Sequence, residues 1–260
     1  MARKRERFER IDVPRGGPHR NLIGAVVCVA VFAVAALVVY LAWNRVRLES
    51  RLGDANLDDA LAAQDAEVVP DGGYVASTDE FECVLLLTAD GLEDGATLSA
   101  AQILSVNRTQ GTAVLANVPV EAKVTVDEEP TTLAELFSSS GYAACVAPLS
   151  SAANVSFDHV IVATGDVIEE AAGLAGLSPS ELIRSASGLL SKLRTDLDAQ
   201  GLLSLAETLS GIGVANLATA EATLVAETTT DEAGNATETG YQVIDRAQLG
   251  VALGLLVPAA

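Results

Sequence analysis

The sequence predicts a mixed α/β domain, a central sheet flanked by helices, behind one N-terminal transmembrane helix. Three observations predict it. Residues 22–43 form a 22-residue run without charge. Short apolar runs such as FECVLLL (81–87) and FDHVIVA (157–163) read as buried strands. Helical segments with start signals, such as the one opened by Ser178-Pro179-Ser180-Glu181, alternate with those strands.

An α-helix rises about 1.5 Å per residue, so residues 22–43 cover the roughly 30 Å hydrocarbon core of a bilayer. Only a helix satisfies its own backbone over such a length in lipid. Before the run stand Arg3, Lys4, Arg5, Arg7, Arg10, Arg15 and Arg20 against Glu6, Glu9 and Asp12. That bias predicts a basic cytoplasmic tail over residues 1–21 and an extracytoplasmic chain after Trp43. The run is longer than the roughly 7–15 apolar residues of a cleaved signal peptide, which makes it a signal anchor. The expected localisation is the cell membrane, single-pass, and the bilayer is the first partner.

Charge divides at the membrane. Residues 1–47 hold 9 Lys/Arg and 3 Asp/Glu, whereas residues 48–260 hold 7 Lys/Arg and 32 Asp/Glu, a balance of −25. Such a surface excludes nucleic acid as a partner. Cys28 lies inside the apolar run, while Cys83 and Cys145 lie outside, where a disulfide and two buried thiols are both open. His159 is the sole exported histidine, so composition excludes a His-rich or Cys-rich zinc site, and no metal ligand is assigned.

Residues 44–79 read as a helical stalk and linker. Val46, Leu52, Leu57 and Leu61 recur loosely at helical spacing, and Pro70-Asp71-Gly72-Gly73 breaks the pattern. The domain then fills residues 80–260. Its first strand, 81–87, meets a turn running from Ala89-Asp90-Gly91 to Gly95. AQILSV (101–106) and TAVLANV (112–118) flank a short polar connection and read as a hairpin. KVTV (123–126) is a further short strand. Thr131-Thr132-Leu133 opens a helix, with Glu135 supporting its first turn, and Pro148 punctuates the chain after it. Beyond the 157–163 strand, residues 166–174 predict a helix ending near Gly176, and a second helix runs from Ser178 to about Leu193. Residues 202–209 are a short helix. Strands at 220–226 and 241–244 enclose a polar loop, 228–240, and Asp245 caps a last helix over 246–256.

Several of these stretches stand in a familiar order: FECVLLL with Asp90 after it, AAQILSV (100–106), LANVP (115–119), TLAELF (132–137) with Gly141, FDHVIV (157–162), LAGL (174–177) and YQVID (241–245). The series resembles the LytR–CpsA–Psr family of envelope proteins and spans roughly residues 80–256. The resemblance implies a LytR–CpsA–Psr-like α/β domain outside the cytoplasm, behind an N-terminal anchor. Family enzymes move glycopolymers from a lipid pyrophosphate onto peptidoglycan. That chemistry needs arginines against the pyrophosphate and a metal held by aspartates. This sequence departs from the pattern at those points. Ala101 stands at one aspartate position, Pro119-Val120-Glu121 replaces Pro-Arg-Asp, and Thr132-Leu133-Ala134 replaces Lys-Leu-Asn. The long arginine-bearing middle segment is almost absent, and Arg184 alone stands in for it between Leu177 and Leu193.

The resulting expectation is a non-catalytic envelope scaffold or regulator without catalytic residues or cofactor. It holds a polyprenyl lipid in an apolar groove or pairs with an active family member. The alternative is a divergent phosphotransferase using Mg to move glycopolymer from polyprenyl pyrophosphate to the cell wall. Its candidates are Asp90, Glu121, Arg108 and Arg184, joined by Lys192 or Arg194, and it requires a cleft where the cations converge on Asp90 or Glu121. A third reading, a generic anchored interaction domain, requires a different strand order. Asp90, Glu93, Asp94 and Glu121 are open as metal ligands or as a solvated acidic turn, and His159 is open as a base or as a structural strand residue.

Overall fold

The computed structural model describes residues 51–64, 70, 72–93, 95–165, 192–213, 216–230 and 236–259. The apolar run 22–43, the helices read over 166–174 and from Ser178, Asp94 and Arg184 lie outside the described residues. Among the described residues no helix is long and apolar enough to cross a membrane.

The elements in chain order are α1 (Ala55–Ala62), β1 (Tyr74–Ala76), β2 (Phe81–Ala89), β3 (Leu98–Asn107), β4 (Thr112–Val118), β5 (Lys123–Val126), β6 (Glu129–Thr132), α2 (Leu133–Ser140), a 3-10 turn (Ala143–Cys145), α3 (Val146–Ala153), β7 (His159–Thr164), β8 (Leu193–Thr195), α4 (Ala199–Ile212), β9 (Leu217–Glu221), β10 (Leu224–Thr230), β11 (Ala236–Ile244), α5 (Arg246–Ala252) and β12 (Leu256–Pro258). Six strands form one mixed sheet in the order β8-β7-β2-β3-β4-β9. β2 pairs parallel to β7, β4 pairs parallel to β9, and the remaining pairs are antiparallel.

The apolar run of β2 follows from its central place. Successive side chains alternate between faces, and a strand covered on both faces reads as continuous hydrophobe. Cys83, Leu85, Leu87 and Ala89 enter the main core with Leu57, Leu133, Phe137, Val146, Leu149 and Leu249, so α1, α2, α3 and α5 all cover that face. Val84 points the other way, into a smaller cluster with Leu104, Val106, Leu197 and Leu205. The β3–β4 hairpin forms over the polar connection as expected. There Gly111 adopts φ +65° and Asn107 accepts the Gln110 N–H at 2.8 Å.

Several boundaries differ from the expected ones. Within the 44–79 segment read as stalk and linker, α1 lies against the domain, and Leu57 is fully buried. Pro148 is the third residue of α3 and does not break it, because the first helical turn has no partner for its N–H groups. Leu193 is in strand β8, not at a helix end; it pairs with Ala163, and tertiary pairing overrides local helix preference. The 220–226 run splits into β9 and β10 at Ala222, whose N–H donates to the Asn117 carbonyl at 2.8 Å. The 228–240 loop shrinks, since β10 and β11 extend into it. Asp245 does cap α5, accepting the Gln248 N–H at 2.9 Å. That helix stops at Ala252, ahead of Gly254 at φ +80°, and residues 256–258 instead pair with β1.

Candidate functional site

The second sheet face is covered by α4. Leu202, Leu205, Leu209 and Ile212 recur at spacings of three and four, which puts them on one side of that helix. Asp198 caps its start, accepting the Gly201 N–H at 2.7 Å, and Gly213 ends it at φ +71°. Between helix and sheet lies a cavity of about 250 Å³ whose lining is wholly apolar, formed by Leu86, Leu104, Leu115, Leu209, Ile212 and Leu217 with Ala113 and Gly213. One strand step beyond Leu104 and Leu115, the same face turns polar. Gln102 donates to Asn117 at 2.6 Å, and Asn117 donates to Glu221 at 3.3 Å.

At the opposite end of the strands, charge is arranged in a line. Arg108 donates through Nε to Glu82 Oε2 at 3.0 Å and pairs with it a second time through Nη2. Glu82 Oε1 stands 3.7 Å from His159 Nε2, and His159 Nδ1 is 2.6 Å from Asp196 Oδ2. The other Asp196 oxygen accepts the Val160 N–H at 2.7 Å. The hydrogen bond to Asp196 raises the His159 pKa above its ordinary value; partial burial opposes it, and the charges of Asp196, Glu82 and Asp158 add to the rise. His159, at the start of β7, is thus a link between Glu82 on β2 and Asp196 in the chain entering α4.

A second network ties α1 to β8. Arg194 Nη1 donates to Asp54 Oδ2 at 2.6 Å and to the Tyr142 hydroxyl at 2.9 Å, with its guanidinium 4.9 Å from the Tyr142 ring centre. Burial alone would raise the Asp54 carboxyl. Hydrogen bonds from Arg194, the Asn56 N–H and Tyr142 outweigh burial and hold the carboxyl below its ordinary value. Sequence reasoning does not find this network, because Asp54, Tyr142 and Arg194 are far apart in the chain and carry no common motif.

Of the sequence-derived candidates, Asp90, Glu121, Arg108 and Arg194 do not come together, and Arg184 lies outside the described residues. Asp90 closes its own loop, accepting the Thr97 N–H at 2.7 Å and donating its N–H to the Thr97 carbonyl at 3.1 Å. Glu121 is exposed in the turn after β4. Arg108 sits past the far end of β3, and at about 3.4 Å per residue that places it on the order of 30 Å from Asp90. Its partner is Glu82. Arg194 holds Asp54, and Glu93 holds Arg51 at 2.9 Å. Ala101 is buried between Leu87 and Val118, and Val120 packs against the main core. Among the described residues no three His, Cys, Asp or Glu side chains are grouped to hold a metal ion. Cys83 and Cys145 are free and buried, without the bridge that the sequence leaves open, and burial pushes both thiols up to about 12.

Solved structures place this architecture. The crystal structure of TagV from Bacillus subtilis matches with a TM-score of 0.50 and 10% identity, over 68% of this chain and 99% of that one. The transcriptional regulator yvhJ, also from Bacillus subtilis, matches with a TM-score of 0.50 and 12% identity, over 68% of this chain and 96% of that one. The class these neighbours define is a mixed central sheet flanked by helices. The fold of this chain is LytR–CpsA–Psr-like. No family model matches the sequence, and no curated protein matches it.

Proposed function

We propose that the chain is a membrane-anchored, extracytoplasmic envelope protein that retains an apolar groove for a lipid chain but not the cationic chemistry of a phosphotransferase. The observation that carries the proposal is the α4 groove. Its lining is apolar throughout, and its polar rim, Gln102, Asn117 and Glu221, presents a carboxylate where a pyrophosphate would need cations. A lipid pyrophosphate beside Glu221 would meet repulsion, and the groove's lining holds no cation to offset it. An uncharged or singly charged polyprenyl lipid is better suited, with part of its tail between Leu104, Leu115 and Leu209 and the rest outside the groove. The envelope setting is supported by the fold and by the basic tail and apolar run of residues 1–43. In this reading the protein presents or buffers a lipid intermediate, or pairs with an active homologue.

The groove is tested with the full-length chain in detergent and a photoactivatable polyprenyl phosphate. Crosslinks are expected on α4 and the facing strands, and Leu209→Asp should abolish them. Crosslinks confined to residues 1–43, or unchanged by Leu209→Asp, would remove the lipid reading. The topology is tested by a reporter fused after Ala260, expected to be active only outside the cytoplasm; activity inside would overturn the anchor.

A further inference from the structure

A second cavity, also about 250 Å³, opens between β5, α3, the β10–β11 hairpin and the start of α5. Its polar lining is Lys123, Thr125, Ser151, Glu227 and Arg246. Lys123 and Glu227 hold each other at 2.5 Å, and both are further fixed. Lys123 lies 5.5 Å from the Tyr241 ring centre, and Glu227 Oε2 accepts the Thr239 hydroxyl at 2.7 Å. The pair is therefore a rigid wall, neutral in sum.

Arg246 differs from four of the other described cations of the domain. Arg51, Arg108, Lys123 and Arg194 each hold a carboxylate. Arg246 engages only through Nε, which donates to the Ala152 carbonyl at 3.2 Å. Its two terminal amino groups have no partner among the described residues, so the planar fork that matches an oxyanion is left open at the cavity. With Glu227 cancelling Lys123, the lining is net positive in a region whose balance is −25. The Thr125 and Ser151 hydroxyls and the fixed Glu227 carboxylate supply donors and acceptors suited to hydroxyl groups.

We infer that this cavity binds a small hydroxylated oxyanion, an acidic sugar or a sugar phosphate. Arg246 grips the anion, and Glu227, Ser151 and Thr125 take the hydroxyls. The site is independent of the apolar groove, since none of its lining residues belongs to α4 or to the sheet face beneath it.

The test is titration calorimetry on the full-length chain in detergent with three probes: glucuronate, glucose 6-phosphate and glucose. At least one charged sugar should bind, glucose should bind less well, and Arg246→Ala should weaken the charged sugar by about tenfold or more. Arg246→Gln should give the same loss and replaces the alanine variant if that one fails to fold. Preference for glucuronate assigns the natural ligand to carboxylate sugars, and preference for glucose 6-phosphate assigns it to phosphates. Binding of neither anion at millimolar concentration, equal binding of glucose, or full binding by both Arg246 variants would overturn the inference.

Discussion

His159 occupies the one place where the sheet, the β3 end and the entry to α4 meet through charge. Its neighbours Glu82, Asp158 and Asp196 are all acidic, and the hydrogen bond to Asp196 favours the imidazolium. A histidine whose pKa is raised by folding stabilises the folded state fully below its unfolded value, near 6.5, and that contribution fades as pH rises through the raised folded value. The melting temperature of the full-length chain is therefore expected to fall as pH climbs from about 6 toward the alkaline side. His159→Gln should flatten that slope, and an equal slope in both proteins would show that His159 is not its source. His159 was legible from the sequence only as a choice between base and strand residue. The partner that holds its ring, Asp196, comes 37 residues later and belongs to no motif.

The elements were more legible than their ends. Thr132 and Glu135 form the reciprocal cap that their spacing announces, at 3.2 and 3.3 Å, and the apolar runs read over 81–87, 101–106 and 112–118 fall in β2, β3 and β4, whose faces are both covered. Short strands escaped because their pairing is tertiary. β12 exists because residues 256–258 meet β1, and β8 because residues 193–195 meet β7. The contact that closes α5 onto β12 is tight. A Cβ on Gly250 would lie 2.6 Å from Leu256 Cδ1 and 2.8 Å from its Cγ. Gly250→Ala is expected to destabilise the domain by about 1–3 kcal/mol despite its better helix propensity. A denaturant titration checks this, and an unchanged midpoint would mean that Leu256 moves aside at no cost.

At the scale of the whole molecule, the charge division and the fold point to one arrangement. A basic tail and an uncharged run precede a strongly acidic LytR–CpsA–Psr-like domain, and Arg51, Arg108, Lys123 and Arg194 of that domain face carboxylates inside it. The family resemblance was readable from the order of motifs. The groove beneath α4 was not, because an apolar lining looks in sequence like any other core. Catalysis and binding are thus expected to part company in this protein. Oxyanion-stabilising groups are each worth roughly 10²–10³ in rate, and the resemblance implies that several are replaced here. The direct measurement is a transfer assay on the full-length chain, with a polyprenyl-pyrophosphate-linked sugar, peptidoglycan and Mg, in which lipid occupancy is followed in the same sample with a polyprenyl phosphate probe. The account predicts an occupied groove and no release of polyprenyl phosphate above the uncatalysed background. Turnover that Arg184→Ala abolishes would contradict it and restore the phosphotransferase reading.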